Sequence, residues 1–510
     1  MTSIILTTLN ARYFHASLGL RYLLANMGDL RAETCLQEFI ITHRPIDIVE
    51  SLLQQQPRII GFGVYIWNVA ETTQVVALLK QVRPDIVIVL GGPEVSYEYE
   101  HQPIVQLADY VITGPADLEF GPLCRQLLQH DRPTRKLITA TQPPLSQLAL
   151  PYQFYNEEDI AHRLIYVEAS RGCPFKCEFC LSALDKTAWS FDLDRFLEEM
   201  QQLHERGVRH FKFVDRTFNL KIQSTLKILR FFLDRLDEHL FLHFELIPDH
   251  LPERLRDAIA QFPSGVLQFE IGIQTFNPGV QKLISRKQDN QKTEDNLHWL
   301  RQTTQAHLHT DLIIGLPGED VASFAEGFNR LVSLDPHEIQ VGMLKRLRGA
   351  PISRHTDEYG LIFDPYAPYT ILCSDLIDFE LMQRLNRFAR YWDLIGNSGR
   401  FHHAKPLLLG DDPFGRFLQF SDWLFATTQQ THQIALDRLF SLVYQGLIET
   451  LEVTPTLARE ALARDYDLSG IRRIPEFLRP DVTEHRSKST HRALRQARHL
   501  KVASSTPAPR

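Results

Sequence analysis

Cys173, Cys177 and Cys180 stand in "SRGCPFKCEFC" at the spacing C-x3-C-x2-C and make up half of the chain's six cysteines. Thiolates gathered so closely suit a soft metal. A structural zinc site closes with four protein ligands, but the next histidine is His204, and Cys35, Cys124 and Cys373 are remote in sequence. A bacterial ferredoxin run uses C-x2-C-x2-C, a different spacing. Three thiolates can instead hold three irons of a cubane and leave the fourth corner to a non-protein ligand. Three free thiols or a partial zinc site are the alternatives.

The elements around this cluster follow from hydrophobic period and turn residues. Before residue 140, apolar runs such as "SIILTTL", "TCLQEFII", "RIIGFGVYI", "IVIVLGG" and "DYVITG" alternate with helical patterns at 46–56, 69–82 and 117–130. A further helix, "SLGLRYLLANMG", has Ser17 as its cap and Gly28 as its stop. Such alternation predicts a doubly wound parallel sheet. The Pro-rich stretch over 141–162 reads as a linker. From Leu164 the alternation resumes with strands at "RLIYVEAS", "HFKFVD", "LHFELI", "LQFEIGIQ", "HTDLIIGLPG" and "EIQVGMLK", which predicts a partial (β/α)6 barrel. In the helix over 192–206, Leu193, Phe196, Met200 and Leu203 share a face and Gly207 ends it. Beyond about residue 360 the strand signal fades, and "SDLIDFELMQRLNRFARYWDLIG" and "FGRFLQFSDWLFATTQQTHQIALDRLFSLVYQGLIE" read as helical. The reading is α/β: a Rossmann-like domain over 1–140, the linker, a barrel over 163–358, a mostly α-helical domain over 359–480, and a basic, disordered tail over 481–510.

Of the 510 residues, 44% are hydrophobic and 23% charged, as in a globular protein. The net charge of -7 gives no global attraction to nucleic acid or anionic membrane, so only the basic tail leaves a nucleic-acid partner open. No apolar run approaches the ~20 residues of a membrane span. "MTSIILTTLN" lacks the features of a secretory signal. Together with clustered cysteines and no disulfide framework, these features predict a cytoplasmic protein.

With Phe179 as the aromatic in C-x3-C-x-aromatic-C, the sequence resembles the radical S-adenosylmethionine superfamily. The resemblance implies that Cys173, Cys177 and Cys180 bind a 4Fe–4S cluster and that S-adenosylmethionine chelates the open iron. It nominates Asp215, in "FKFVDRTFN", for the methionyl amine, although the glycine-rich form of that motif is missing. Glu270 and Gln274 in "FEIGIQTFNP" match the ribose-contacting segment, and Arg286 is the candidate for the methionyl carboxylate. Ile313 to Gly315 in "DLIIGLPGE" resemble the backbone platform beside adenine. Structural roles are the alternatives: a strand-end cap for Asp215, an ion-pair partner for Glu270, a surface residue for Arg286.

The preceding strand ends carry "LNARYFH", "GFGVYIWN", "LGGPEVS" and "TGPAD", with no phosphate-loop or dinucleotide fingerprint. Placed before such a core, they resemble the cobalamin-binding domain of the cobalamin-dependent branch. Asn10, Arg12, Tyr65, Trp67, Gly91, Gly92 and Gly114 are the expected cobalamin contacts, with core packing as the alternative for the two aromatics. The Asp-x-His-x-x-Gly motif that supplies a lower axial imidazole is absent, since Tyr13 and His15 are followed by Gly19 one place late. The last part is similar to an uncharacterised helical extension of one group of these proteins.

The resemblance implies an enzyme that cleaves S-adenosylmethionine reductively and methylates an unactivated carbon of a small-molecule or other substrate. A reductant such as flavodoxin or ferredoxin would supply the electron. Radical cyclisation or rearrangement, a non-catalytic iron–sulfur or cobalamin redox sensor, and a nucleic-acid-modifying enzyme are the rivals. No catalytic side chain is nominated.

Overall fold

The computed structural model describes residues 2–185, 187–469, 475–478, 495–496 and 498–499. The chain divides into two compact units, residues 1–244 with 345–354 and 364–370, and residues 245–344 with 355–363 and 371–510.

The first unit opens with β1 (Ile4–Asn10), β2 (Thr34–Ile40), β3 (Ile59–Gly63), β4 (Val87–Gly91), β5 (Tyr110–Thr113) and β6 (Leu137–Thr139). All pair in parallel in the order β2-β1-β3-β4-β5-β6. Residues of β1 alternate between two cores. Ile5 and Leu9 pack with Ile48, Leu52, Val75 and Leu79, while Ile4 and Leu6 pack with Leu20, Met27, Phe120 and Leu123. A sheet covered by helices on both faces explains why its strands read as nearly unbroken apolar runs. Strand order reverses between β1 and β3, and the carboxyl ends there are where open α/β sheets bind ligands. The short β6 escaped the sequence pattern because three residues carry too little periodicity.

The segment read as a linker contains a capped helix, Glu157–His162, whose Asn156 and Asp159 form a reciprocal capping box. Asp159 is buried against Arg21 at 2.7 Å, and Glu38 lies 3.0 Å from the same guanidinium. The helix Leu18–Ala25 begins on Ser17, which accepts the Leu20 N–H. It stops at Asn26 rather than Gly28, and Gly28 opens a separate 3-10 turn.

Next come β7 (Ile165–Val167), the two-residue pair β8 (Ser170–Arg171) and β9 (Trp189–Ser190), and β10 (His210–Phe213). β11 (Phe241–Leu246) pairs in parallel with β10 and carries the chain into the second unit. There β12 (Leu267–Gln274), β13 (His307–Ile314) and β14 (Glu338–Met343) pair in parallel. Helices separate β7, β10, β11, β12, β13 and β14 in turn, the element order of a partial (β/α)6 barrel. In the helix Leu193–Glu205, Phe196, Leu197, Met200 and Leu203 are buried, with Leu197 joining the expected face.

The second unit ends in helices. Phe388 and Trp392 of Phe379–Leu394 meet Phe328, Phe414 and Phe417, and Trp392 donates its indole N–H to Ile339 O at 2.8 Å. The second helical stretch forms two helices, Pro413–Thr428 and Leu436–Glu449, the first ending where Gln429 turns left-handed at φ 51°. The expected disordered tail lies outside the described residues except at Arg495, Gln496, Arg498 and His499. These four correct the expectation locally: Arg495 lies 2.8 Å from Glu338 and 2.8 Å from Asp393. Gln496 donates to Gln268 at 2.9 Å and Arg498 to Ser398 O at 2.7 Å. No helix among the described residues is long and apolar enough to cross a membrane.

Candidate functional site: a thiolate loop beside a glycine-lined cavity

The thiolate loop is closed at its base by β8 pairing with β9, Arg171 opposite Trp189. Within it the Cys180 N–H donates to Cys177 O at 3.0 Å, and the Cys173 N–H donates to Asp185 O at 3.3 Å. All three cysteines are half-buried and form no disulfide. Burial, then the neighbouring thiols, push the Cys173 thiol up, opposed by the Phe175 N–H and Arg216. Among the described residues, no three histidine, cysteine or acidic side chains converge on one point as a single metal ion requires. A cubane takes each thiolate at a separate iron, so this donor set fits a cluster with one corner unfilled by protein. Phe179 is half-buried in the same loop.

Asp215 lies just beyond β10, with both carboxylate oxygens committed. Oδ2 accepts the Ala169 N–H at 3.0 Å and Oδ1 accepts the Ser170 hydroxyl at 2.6 Å. Burial pushes its pKa up to about 7 against those bonds. The carboxylate thereby fixes the residues that lead into the thiolate loop.

Beside the loop lies a cavity of about 280 Å³. The carboxyl ends of β3, β4 and β5 line it through Gly61, Gly63, Gly91, Gly92 and Gly114, and Leu18, Leu20 and Leu23 add apolar walls. Gly92 has φ 108°, and a Cβ there would meet Val64 O at 2.4 Å. Tyr65 lines the cavity and stacks on half-exposed Trp67 at 4.4 Å. Asn10, Arg12 and Trp67 are not part of this lining. Asn10 donates its amide to His15 O and Glu38, both at 3.0 Å, and Arg12 is exposed. His15 Nδ1 faces the Tyr166 hydroxyl at 2.5 Å. This glycine-walled, mainly apolar cavity lies just below the ~300 Å³ of the smallest drug-sized ligand sites, so it has room for a part of a cofactor as large as cobalamin.

Sequence reasoning missed the residues that join loop and cavity. Arg171, two places before Cys173, lines the cavity with Asp117 and Glu168. Its guanidinium donates to Asp117 at 3.0 and 3.1 Å and to Glu168 at 2.8 Å, and covers the Tyr22 ring at 4.4 Å. Burial raises the Glu168 pKa while Arg171 pulls it down. The only local signal was an arginine inside the cysteine motif and an aspartate ending "TGPAD".

The second unit holds the other nominated residues. Gln274 ends β12 at φ 69°, where the register with β13 shifts. Arg286 donates to Gly272 O in that bulge and to Gln288 at 3.0 Å. Glu270 and Ile313 are half-buried on neighbouring strands, and Gly315 packs against Ile371 and Met382. Thr275 donates to buried Glu319, whose pKa burial pushes up to about 7.

Residues 167–331 match the Radical SAM superfamily, residues 4–121 match the B12 binding domain, and residues 357–506 match a family of unknown function, DUF4080. The chain thus carries a radical SAM domain, a B12 binding domain and a DUF4080 region. Radical SAM domains use a 4Fe–4S cluster with S-adenosylmethionine, and B12 binding domains hold cobalamin.

It is 24% identical over 334 residues to 2-(S-pantetheinyl)-carbapenam-3-carboxylate methyltransferase of Streptantibioticus cattleyicolor, covering 58% of this chain and 48% of that one. It is 24% identical over 383 residues to the cobalamin-dependent radical SAM methyltransferase TokK of Streptomyces tokunonensis, covering 66% and 54%. The chain thus spans about half the length of these curated relatives. The solved structure of OxsB, a cobalamin-dependent S-adenosylmethionine radical enzyme with aqua-cobalamin bound, shares the fold at TM-score 0.63 and 13% identity, covering 91% of this chain and 84% of that one.

Proposed function

We propose that this chain is a cobalamin-dependent radical S-adenosylmethionine methyltransferase acting on an unactivated carbon of a small molecule. The observation that carries this reading is the shared wall: Arg171, beside the first cluster cysteine, lines the same cavity as Gly91, Gly92 and Gly114 of the B12-binding domain. The bound cofactors supply reductive cleavage of S-adenosylmethionine and delivery of a methyl group. The chain's own residues bind, orient and exclude water. Cys173, Cys177 and Cys180 ligate the cluster. Asp215, holding Ala169 and Ser170, receives the methionyl amine. In the second unit, Arg286 takes the methionyl carboxylate as a planar guanidinium can, Glu270 and Gln274 take the ribose, and the backbone from Ile313 to Gly315 flanks adenine. Tyr65, Gly91, Gly92 and Gly114 contact cobalamin.

A low-potential donor of the flavodoxin or ferredoxin kind supplies electrons, in a reducing compartment such as the cytoplasm. The test is anaerobic reconstitution with iron, sulfide and hydroxocobalamin, followed by product analysis with candidate substrates. Methyl transfer yields both 5′-deoxyadenosine and S-adenosylhomocysteine. The first without the second assigns a rearrangement, and neither product after reduction assigns a sensor.

A further inference from the structure

The proposed chemistry makes no use of the segment after β14, yet Lys345–Arg354 and residues 364–370 belong to the first unit. The two pieces are joined to each other, with the Arg346 N–H donating to Tyr369 O at 3.0 Å. Together they grip the loop after β4. Glu94, two residues past the cavity-lining Gly92, is a carboxylate with only 3% of its side chain exposed. Arg348 Nε donates to it at 2.8 Å, and the Tyr369 hydroxyl donates to it at 2.5 Å. Arg348 Nη2 donates in turn to the Tyr369 oxygen at 2.8 Å, closing a triangle. Glu98 is held by Arg346 at 2.9 Å and by the Gly349 N–H at 3.1 Å. Tyr97 seats so tightly that a Cβ on Gly349, at φ 80°, would meet its ring carbon at 2.4 Å.

The same short segment grips the thiolate loop. The Ile352 N–H donates to Glu178 O at 2.9 Å, and Arg354 pairs with the buried Glu178 carboxylate, between Cys177 and Cys180. Ala350 and Ile352, which join the two grips, are 1% and 0% exposed, so no slack separates them. A buried carboxylate without its cation is costly, and in a closed network the loop and the strap move together or not at all.

We propose that Lys345–Arg354 is a strap coupling occupancy of the B12 cavity to the order of the cluster loop, with Arg348 as its positioning residue. The inference rests on the cobalamin reading above. Filling the cavity fixes Gly91 and Gly92. Glu94 passes that restraint to Arg348, and Ile352 and Arg354 pass it to Glu178. Coupling of this kind is reciprocal, so an intact cluster loop also tightens cobalamin binding.

The test is hydrogen–deuterium exchange on the anaerobically reconstituted full chain, with and without hydroxocobalamin, alongside Arg348→Ala and Tyr369→Phe. Cobalamin binding is followed separately by visible absorption and folding by thermal melting. In the parent chain, hydroxocobalamin slows exchange across 173–185 and 349–354 by about fivefold or more. Both variants bind hydroxocobalamin yet lose most of that protection, while Arg44→Ala, in the exposed pair with Asp47, keeps it. If Arg348→Ala does not fold, Tyr369→Phe, which removes one hydroxyl, decides. Equal protection in the folded variants, or none in a parent chain that binds hydroxocobalamin, overturns the strap and leaves the functional reading standing. A parent chain that holds its cluster but binds no hydroxocobalamin overturns both.

Discussion

Arg171 presents both terminal nitrogens to the Asp117 carboxylate, at 3.0 and 3.1 Å, across 54 residues of sequence. Side-chain exposures of 15% and 9% place the pair largely out of water, and Glu168 occupies the remaining Nε at 2.8 Å. Two carboxylates share one guanidinium beside the cluster loop.

Arg171→Ala leaves Asp117 and Glu168 facing each other without a cation. Breaking a buried pair from one side costs ~3–5 kcal/mol, so urea unfolding is expected to move to markedly lower midpoints. Arg171→Lys keeps the charge and loses the bidentate fork, giving a smaller loss.

The cysteines divide into two sets. Cys177→Ala is expected to abolish iron and acid-labile sulfide after anaerobic reconstitution and to remove the reduced-cluster electron paramagnetic resonance signal. Cys35→Ala, Cys124→Ala and Cys373→Ala, all outside the loop, leave both unchanged. Stoichiometric zinc in the parent chain at those thiols refutes the cluster assignment.

Gly91 and Gly92 separate backbone strain from cavity volume. At Gly92 a methyl would meet Val64 O at 2.4 Å in a left-handed conformation, and such strain costs on the order of 1–3 kcal/mol. Gly92→Ala therefore lowers the melting temperature as well as hydroxocobalamin binding. Gly91→Ala, whose nearest contact would be 3.8 Å away, leaves melting nearly unchanged and reports on binding alone.

In its proposed role as partner of the methionyl amine, Asp215 makes S-adenosylmethionine binding depend on pH. Burial holds its pKa at about 7, and the ionised carboxylate accepts an amine N–H more strongly than the neutral acid does. Affinity measured by calorimetry is expected to rise from pH 6 to pH 8, with proton release, and then level off. Asp215→Asn binds more weakly and without that slope. An unchanged slope in the variant removes Asp215 from the role.

Asp465 offers a stability test in the DUF4080 region. It accepts the His403 and Ala404 N–H groups at 2.8 and 2.9 Å, while burial raises its pKa from 3.8 to about 7. A raised folded-state pKa means that the stabilisation is complete below pH 3.8 and is lost as pH climbs through 7. That loss is on the order of a few kcal/mol. Asp465→Asn flattens this profile in denaturant titrations between pH 4 and pH 8. Loss of one N–H bond costs it about 1 kcal/mol at the acid end.

The cysteine motif was legible because its information is local: three cysteines and an aromatic stand within eight residues. Strand-and-helix alternation was equally legible, since burial on both faces leaves runs such as "IVIVLGG" with no polar alternative. Asp215 was found at a strand end, but its bonds to Ala169 and Ser170 were not. Tyr65, Gly91, Gly92 and Gly114 do line the cavity, whereas Asn10 turns its amide to His15 and Glu38. Which way a side chain at a strand end points depends on neighbours far along the chain.

The sequence by itself determined the donor set, the order of the elements and the families to which their motifs belong, because each lies within one strand, one helix or one loop. Only the tertiary structure chose partners among 55 basic and 62 acidic residues. Arg348 meets Glu94 across 254 residues, and no spacing rule singles out that pair. Burial selects it: once the fold encloses Glu94, the carboxylate must be matched by whichever cation the packed backbone brings within reach.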